Sequence, residues 1–301
     1  MSRVIVIGAS CVDVLAEGVT PHIFESGHEH VSAIRMDYGG DALNEAVVLA
    51  SHGIPVSLLT RFAEDEAGRG MMRFLNERNV DISQSIVDPD GNTYMTVILV
   101  TKDGERNLIG TKSGTLRELS LKDLPKTLDP EAEIVSFASL FISHHFLKED
   151  YRTLFERIKK SGKTLVCDTT TPKNGESARD YEEVFSLIDY FVPNAKEAMM
   201  LTGKGSVEEA AEELFACGVK HVIIKCGEKG CYLYDEAHRE YIAPKHEVTP
   251  LDSTGAGDSF TAGLITGLLD QRNLIEALDI ANAFGARAVT ALGANRWSYM
   301  G

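Results

Sequence analysis

The segment LDSTGAGDSFTAGLITGLL, Leu251 to Leu269, holds a run of small residues, two aspartates six positions apart, and then an apolar stretch with helical spacing. Phe260, Leu264 and Leu268 fall on one stripe of that helix, and Gly263 and Gly267 beside it leave room for a close neighbour. A carboxylate at a helix start is first of all a cap, because it sits beside unpaired N–H groups and the positive end of the macrodipole. A cap accounts for one aspartate. It does not account for Gly255, Ala256 and Gly257, which leave the backbone almost bare just before Asp258. Amides without a bulky side chain at a helix start admit a phosphate or a developing negative charge. The stretch therefore reads as an anion hole carrying its own carboxylate, with a plain capped turn as the competing reading.

Working outward from that helix, short β-branched runs recur along the chain: VIVIG from Val4, VSLLT from Val56, EIVSFAS from Glu133, TLVCDTT from Thr164, YFVPN from Tyr190 and HVIIKCG from His221. Between them lie helical patterns such as DEAGRGMMRFLNERN and SVEEAAEELFACG. Alternation of this kind predicts right-handed βαβ units and a mostly parallel sheet covered on both faces. Two segments break the rhythm. NTYMTVILVTKDGERNLIG reads as a hairpin turning at Asp103-Gly104, and residues 12–36 show no convincing helix. Together, segments of about 12–36 and 92–112 are expected to form an antiparallel flap over one sheet edge, inserted in a single domain spanning 1–301.

The composition narrows the partners. A chain of 301 residues with 44% hydrophobic content can bury a large core. Its formal net charge of −15 argues against nucleic acid and anionic membrane, both of which are bound through Lys and Arg. The five cysteines (Cys11, Cys167, Cys217, Cys226, Cys231) are scattered, without paired metal or redox spacing, and read as buried thiols of a reducing cytosol. The N-terminal apolar run is too short for a secretory signal and no segment reaches membrane-spanning length, so a cytoplasmic protein is expected.

Familiar nucleotide signatures are missing. SGKT at Ser161–Thr164 has Arg157 where a P-loop needs its first glycine, and VIVIGASCVD has only Gly8 where a dinucleotide fingerprint needs three. Other elements carry more. Gly39 and Gly40 open a helix in YGGDALNEAVVLASHG, a tight turn capped by Asp41 on the plain reading. Asn44 in its first turn can both donate to and accept from hydroxyls, and Asp13 just past the first strand can accept from two vicinal ones. In VPNAKEAMMLTG, Asn194 and Glu197 share a helix face, either as a capping box or as holders of waters around Mg²⁺. KCGEKG places Gly227 and Gly230 after a strand ending at Lys225, as a turn or as a close approach to a nucleotide. The histidines of HEH at 28–30 and of His144-His145 lack acidic or Cys partners at ligand spacing and read as surface or flap residues.

Taken in order, Asp13, GGDALN, PNAKE, KCGEKG and DSTGAGDSF resemble the ribokinase-like (PfkB) carbohydrate kinases, from the first strand to the last helix. The resemblance implies an α/β three-layer sandwich with a mostly parallel central sheet and a small β-sheet lid, using Mg-ATP to phosphorylate a sugar or related alcohol. Residue by residue it implies Asp258 as catalytic base and the amides of Gly255, Ala256 and Gly257 as anion hole. It implies Asp13, Gly39, Gly40 and Asn44 around the acceptor, and Asn194, Lys225, Gly227 and Asn282 around the nucleotide. Glu197 and Asn194 would hold Mg²⁺ through water, and Asp252 with the Thr254 carbonyl would hold K⁺. The polar residue that closes the potassium ring in relatives falls near Trp297, and SLFIS at 139–143 lacks the glutamate that ribokinases place near their sugar.

These parts imply phosphoryl transfer by positioning and charge stabilisation, with Asp258 expected to be a weak base whose pKa the helix terminus lowers. The acceptor is expected to be fructose-like, because Asp13 and Asn44 suit neutral hydroxyls and Arg106 is the main feature suiting an acid. A sugar acid such as 2-keto-3-deoxygluconate, a nucleoside, and a non-catalytic sugar- or nucleotide-binding regulator are the alternatives. Exposed lid strands invite pairing into a homodimer.

Overall fold

The computed structural model describes residues 2–101 and 105–299. The six predicted runs become six strands of one nine-stranded sheet. Their order from one edge is Arg239–Ile242, Cys231–Tyr234, His221–Lys225, Tyr190–Phe191, Thr164–Thr169, Ile134–Leu140, Val4–Ile7, Val56–Leu59 and Val80–Asp81. All neighbours pair in parallel except the last hairpins at the Arg239 edge. The strands Val4–Ile7, Val56–Leu59 and Ile134–Leu140 are buried along their whole length, as expected where helices cover both faces. The chain order reverses between Val4–Ile7 and Ile134–Leu140, and a crevice at the carboxyl ends of the strands is the usual ligand site of such a sheet.

Two apolar layers flank the sheet. One packs Phe137, Tyr151, Phe155, Phe185 and Phe191 under the helices Lys148–Lys160, Ala195–Thr202 and Val207–Ala216. The other packs Val4, Val6, Leu43, Val47, Leu58, Leu264 and Ile265 with the helices Asp41–Ser51, Ala256–Leu269 and Leu274–Ala288. Each fully buried Leu, Ile or Phe contributes about 1.5–3 kcal/mol. Helix Ala256–Leu269 is buried on nearly all sides, more than its single sequence stripe predicts, because helix Leu274–Ala288 lies directly against its glycines. A Cβ at Gly263 would stand 2.8 Å from the Ala281 Cα, and one at Gly267 would stand 2.6 Å from the Ala277 Cα. Any side chain there would push the two helices apart.

The lid is a four-stranded sheet in the order Ala33–Gly39, Cys11–Val19, Met95–Thr101, Arg106–Gly110. Its outer pairs are antiparallel, but Cys11–Val19 runs parallel to Met95–Thr101, so the flap is mixed. The predicted turn at Asp103-Gly104 and the side chain of Arg106 lie outside the described residues. A short helix, Ile23–Ser26, occupies the segment where no helix was expected. Register puts Asp37, Asp13, Thr96 and Gly110 side by side on one lid face. The opposite face carries Met36, Val14, Val97 and Ile109, and there Ile34, Met36 and Ile109 are 70%, 52% and 55% exposed.

Candidate active site

The mouth of helix Ala256–Leu269 starts from a backbone constraint. Gly255 at its N-cap has φ 73°, and a Cβ there would lie 2.1 Å from the Ala294 carbonyl oxygen, so only glycine fits. No side chain caps this helix. The N–H of Ala256 reaches the Ser253 carbonyl at a long 3.3 Å, and the N–H of Gly257 has no partner among the described residues. Asp258 does not turn back to cap. Its Oδ2 instead accepts from Asn44 Nδ2 at 2.7 Å. Asn44 Oδ1 in turn accepts from Asn295 Nδ2 at 2.7 Å, and the same Asn295 nitrogen donates to the Tyr38 carbonyl at 3.1 Å. The Asn44 amide, expected to face acceptor hydroxyls, therefore has its oxygen and one of its hydrogens engaged inside the protein.

The electrostatics at Asp258 run against the sequence expectation. Its pKa stands well above the ordinary carboxylate range, chiefly through burial and then through the charge of Asp41, with the Asn44 bond and Lys225 pulling the other way. A helix terminus is worth about 0.3–1 kcal/mol, less than the burial of a carboxylate beside a second one. The plain reading of Asp41 as a cap also gives way. Gly40 occupies the N-cap with φ 98°, where a Cβ would meet the Ala9 carbonyl oxygen at 2.7 Å. Asp41 itself takes the Ser139 hydroxyl at 2.5 Å, and burial holds its pKa up as well.

Asp258, Asp41, Ala256 and Gly257 lie on the wall of a cavity of about 1120 Å³ that also takes in Asn194, Glu197, Lys225, Gly227 and Asn282. Lys225 is mostly, not fully, buried and ion-paired with Asp168, which also accepts from Thr261 at 3.3 Å. The same ammonium is 3.2 Å from where a Gly257 Cβ would sit, so it stands at the helix mouth. Asn282 donates to the Ile242 carbonyl at 3.0 Å, which leaves its oxygen as the free acceptor. Asn194 and Glu197 form the reciprocal capping box, each bond 2.9 Å long. Burial, then the charge of Asp168, pushes the Glu197 carboxyl up to about 7. No three His, Cys, Asp or Glu groups among the described residues gather as a metal cage. A divalent ion that keeps several of its waters and rides on phosphate oxygens suits this oxygen-only, charge-destabilised set.

Of the remaining predicted residues, Asp13, Gly39, Gly40, Asn44, Asp252, Thr254 and Gly255 are not part of the lining of this cavity. Asp13 hydrogen-bonds Thr96 on the lid, and its carboxyl is pushed up to about 6, first by burial and also by Asp37. A Cβ on Gly39 would lie 2.9 Å from Asp13 Oδ2, so the glycine lets the carboxylate approach. Asp252 is buried and accepts from the N–H groups of Thr254 and Gly293, at 2.8 and 3.0 Å. Trp297 donates to Ser259 at 3.0 Å and packs against His52 and Phe284. Sequence reasoning missed Asp168 and Asn295. An acid at the carboxyl end of a strand beside the switch point was the available signal for Asp168; the sequence around Asn295 carries none.

A parallel α/β sheet under a small lid, with an uncapped helix mouth and an adjoining acid, defines a phosphotransferase acting on a small hydroxylic acceptor. The chain belongs to the pfkB family carbohydrate kinases, whose family model matches residues 1–298. It is 27% identical over 272 residues to probable fructokinase-7 of Arabidopsis thaliana, covering 85% of this chain and 79% of that protein. It is 28% identical over 262 residues to ribokinase of Haemophilus influenzae, covering 85% and 82%. Its fold matches the crystal structure of a fructokinase double mutant from Vibrio cholerae O395 in fructose-, ADP- and potassium-bound form, with TM-score 0.80 and 24% identity over 99% and 95% of the two chains. The protein is thus a sugar kinase, fructokinase-like in the broad sense, using ATP and a divalent cation. No helix among the described residues is long and apolar enough to cross a membrane.

Proposed function

We propose that Asp258 is the base that orients and deprotonates one hydroxyl of a small carbohydrate while the γ-phosphoryl group of ATP is transferred to it. The carrying observation is that Asp258 is released from capping its own helix and held by Asn44 at 2.7 Å, beside the free Gly257 N–H. The acceptor oxygen bonds to the γ-phosphorus as the bond from that phosphorus to the bridging oxygen of ADP breaks, and the hydroxyl proton passes to the Asp258 carboxylate. Gly255, Ala256 and Gly257 offer backbone amides to the transferring group, and Lys225 adds a positive charge at the same mouth. Asp13 accepts from acceptor hydroxyls, Gly39 and Gly40 admit close approach, and Asn44 acts mainly by fixing Asp258. Asn194, Gly227 and Asn282 line the nucleotide end. Magnesium, held by Glu197, Asn194 and Asp168 through water, would neutralise phosphate charge when bound.

Asp252 and the Thr254 carbonyl are the matching positions for a potassium ion, a reading supported by the potassium in the Vibrio fructokinase crystal. The reading places the enzyme in the cytoplasm. The apolar lid face around Ile34, Met36 and Ile109 favours a homodimer, and Met36→Asp should then shift sedimentation to the monomer. Wild-type sedimentation as a monomer at micromolar concentration would remove the dimer.

The reading as a whole is tested by ADP release from Mg-ATP over a panel of neutral sugars, sugar acids, sugar phosphates and nucleosides. Acceptor-dependent ADP is expected, abolished by chelation of the divalent ion. Tight binding of ATP and a sugar with no transfer to any acceptor would replace the enzyme by a regulator on the same fold.

A further inference from the structure

The turn at residues 293–298 touches the Asp252 loop, the helix mouth and the lid at once. The Gly293 N–H donates to Asp252, and the Ala294 carbonyl packs where a Gly255 Cβ would stand. Arg296 pairs with Asp37 of the lid at 3.1 Å, and Trp297 donates to Ser259, the residue after Asp258. Asn295 lies in the middle of this turn and is 2% exposed. Its carbonyl accepts from the Ser298 hydroxyl at 2.7 Å and from the Ser298 N–H at 3.2 Å, which fixes the backbone that carries its side chain.

The Asn295 side chain uses both hydrogens of its amide nitrogen. One goes to the Tyr38 carbonyl on lid strand Ala33–Gly39, at 3.1 Å, and the other to Asn44 Oδ1, at 2.7 Å. Asn44 then gives its own nitrogen to Asp258 Oδ2 at 2.7 Å. The partners leave no choice of direction along this chain. A backbone carbonyl can only accept, so the Asn295 nitrogen must face Tyr38. The same nitrogen faces Asn44, which must answer with its oxygen, and the Asn44 nitrogen is left for Asp258. Were the Asn44 amide turned over, its nitrogen would meet the Asn295 nitrogen and its oxygen would meet the Asp258 carboxylate. Asn44 and Asn295 are both buried, so no bulk water compensates for such a mismatch.

That direction matters to the base. A donor on Oδ2 favours the ionised carboxylate and fixes its plane, leaving the other oxygen for an acceptor hydroxyl. The charges acting on Asp258 come from other elements: Asp41 and Glu45 on the helix that carries Asn44, Asp168 on strand Thr164–Thr169, Lys225 on strand His221–Lys225, and the Cys11 thiol on the lid. None of them hydrogen-bonds Asn295 among the described residues, and the charges next to Asn295 are the paired Arg296 and Asp37.

We propose that Asn295 is a positioning residue for phosphoryl transfer: it fixes the Asn44 amide so that Asn44 presents its N–H to Asp258, and it joins the lid backbone to the base in one chain of hydrogen bonds. The proposal rests on the reading of Asp258 as the base. Asn295 itself touches no reacting atom. Because the chain starts on the strand that sets Asp37 beside Asp13, the acceptor end of the lid and the base are oriented together.

The test measures kcat, KM and the acid limb of kcat/KM for Asn295→Leu and Asn295→Ala, each alone and combined with Asp258→Asn, using the acceptor that releases most ADP in wild type. Each single variant should lower kcat by about tenfold, change KM for Mg-ATP by less than about twofold, and move the limb to higher pH, because a donor to the ionised form is lost. In the Asp258→Asn background the same substitutions should change kcat by less than about twofold, since Asn295 acts through the carboxylate. A residue that only packed the turn would lower the melting temperature in both backgrounds and leave the limb in place. The Ala variant serves where the buried Leu prevents folding. A folded variant with wild-type kcat and limb, or equal losses of kcat in the two backgrounds, would overturn the proposal. If no acceptor is phosphorylated, the kinase reading fails separately, and Asn295 is judged by NMR titration of the Asp258 carboxyl carbon. Its pKa should then stand higher in the folded variants than in wild type, and an unchanged value would also overturn the link.

Discussion

Two helices open onto the same cavity with an acid in the first turn, and they use it in opposite ways. At Ala195–Thr202 the cap and the acid bind each other's backbone: Glu197 N–H donates to Asn194 Oδ1, and Asn194 N–H donates to Glu197 Oε2. At Ala256–Leu269 the cap is Gly255, which has no side chain to offer, and Asp258 is held from outside by Asn44 of helix Asp41–Ser51. The first acid is committed to its own helix. The second is held by a neighbour, leaving the helix mouth open and one carboxylate oxygen available. An acid at a helix start is therefore poised for chemistry when another element, and not its own turn, orients it.

Substituting each side breaks the comparison most directly. Asp258→Asn should cut kcat by about a hundredfold or more, about 2.7 kcal/mol of barrier, because a positioned base is lost. Its melting temperature should not fall, since the carboxylate caps nothing and its burial is itself unfavourable. Asn194→Ala should do the reverse. Loss of the cap should cost about 1 kcal/mol of stability and lower the melting temperature by a few degrees, with a raised KM for Mg-ATP. Thermal melts and steady-state rates on both variants check the split. A fully active Asp258→Asn enzyme, or an Asn194→Ala protein as stable as wild type, would erase the distinction.

The sequence carried these two helix starts unequally. The capping box was readable because its partners lie three residues apart, and the six parallel strands were readable because burial on both faces writes itself as an unbroken apolar run. Gly255 and Gly257 could be singled out for the same local reason. The hold on Asp258 was not local: its partner lies 214 positions away, and the Asn295 that steadies Asn44 lies another 251 positions from it. No periodicity or spacing rule spans such distances. The direction of the Asp258 shift went unread for the same cause, since it depends first on burial and then on Asp41 and Asp168, all of which the fold brings in from other elements. Helix Ile23–Ser26 is a single turn, too short to leave a period, and nothing near Trp297 in the sequence shows that its indole N–H donates to Ser259.

The smallest effect concerns how far the fold, and not the helix, sets the acidity of Asp258. The carboxylate must be ionised to accept a proton, so activity falls as pH drops through its pKa, and the acid limb of kcat/KM should lie above the range of an ordinary carboxylate. After burial, the negative charge of Asp41 is the largest cause of that rise. Asp41→Asn removes the charge and keeps an oxygen for the Ser139 hydroxyl, so the ionised form of Asp258 becomes easier to reach and the limb should move to lower pH. The limb should still lie above the ordinary carboxylate range, because burial, the larger cause, stays. Asp13, near 6, and Glu197, near 7, also titrate in this region, and Asp41 contributes least among the causes named for each. Asp37→Asn serves as the control, because Asp37 raises Asp13 and is not among the causes acting on Asp258. A limb that follows Asp37→Asn more than Asp41→Asn would assign it to Asp13, and would place the proton-accepting step outside the helix mouth that Gly255 holds open.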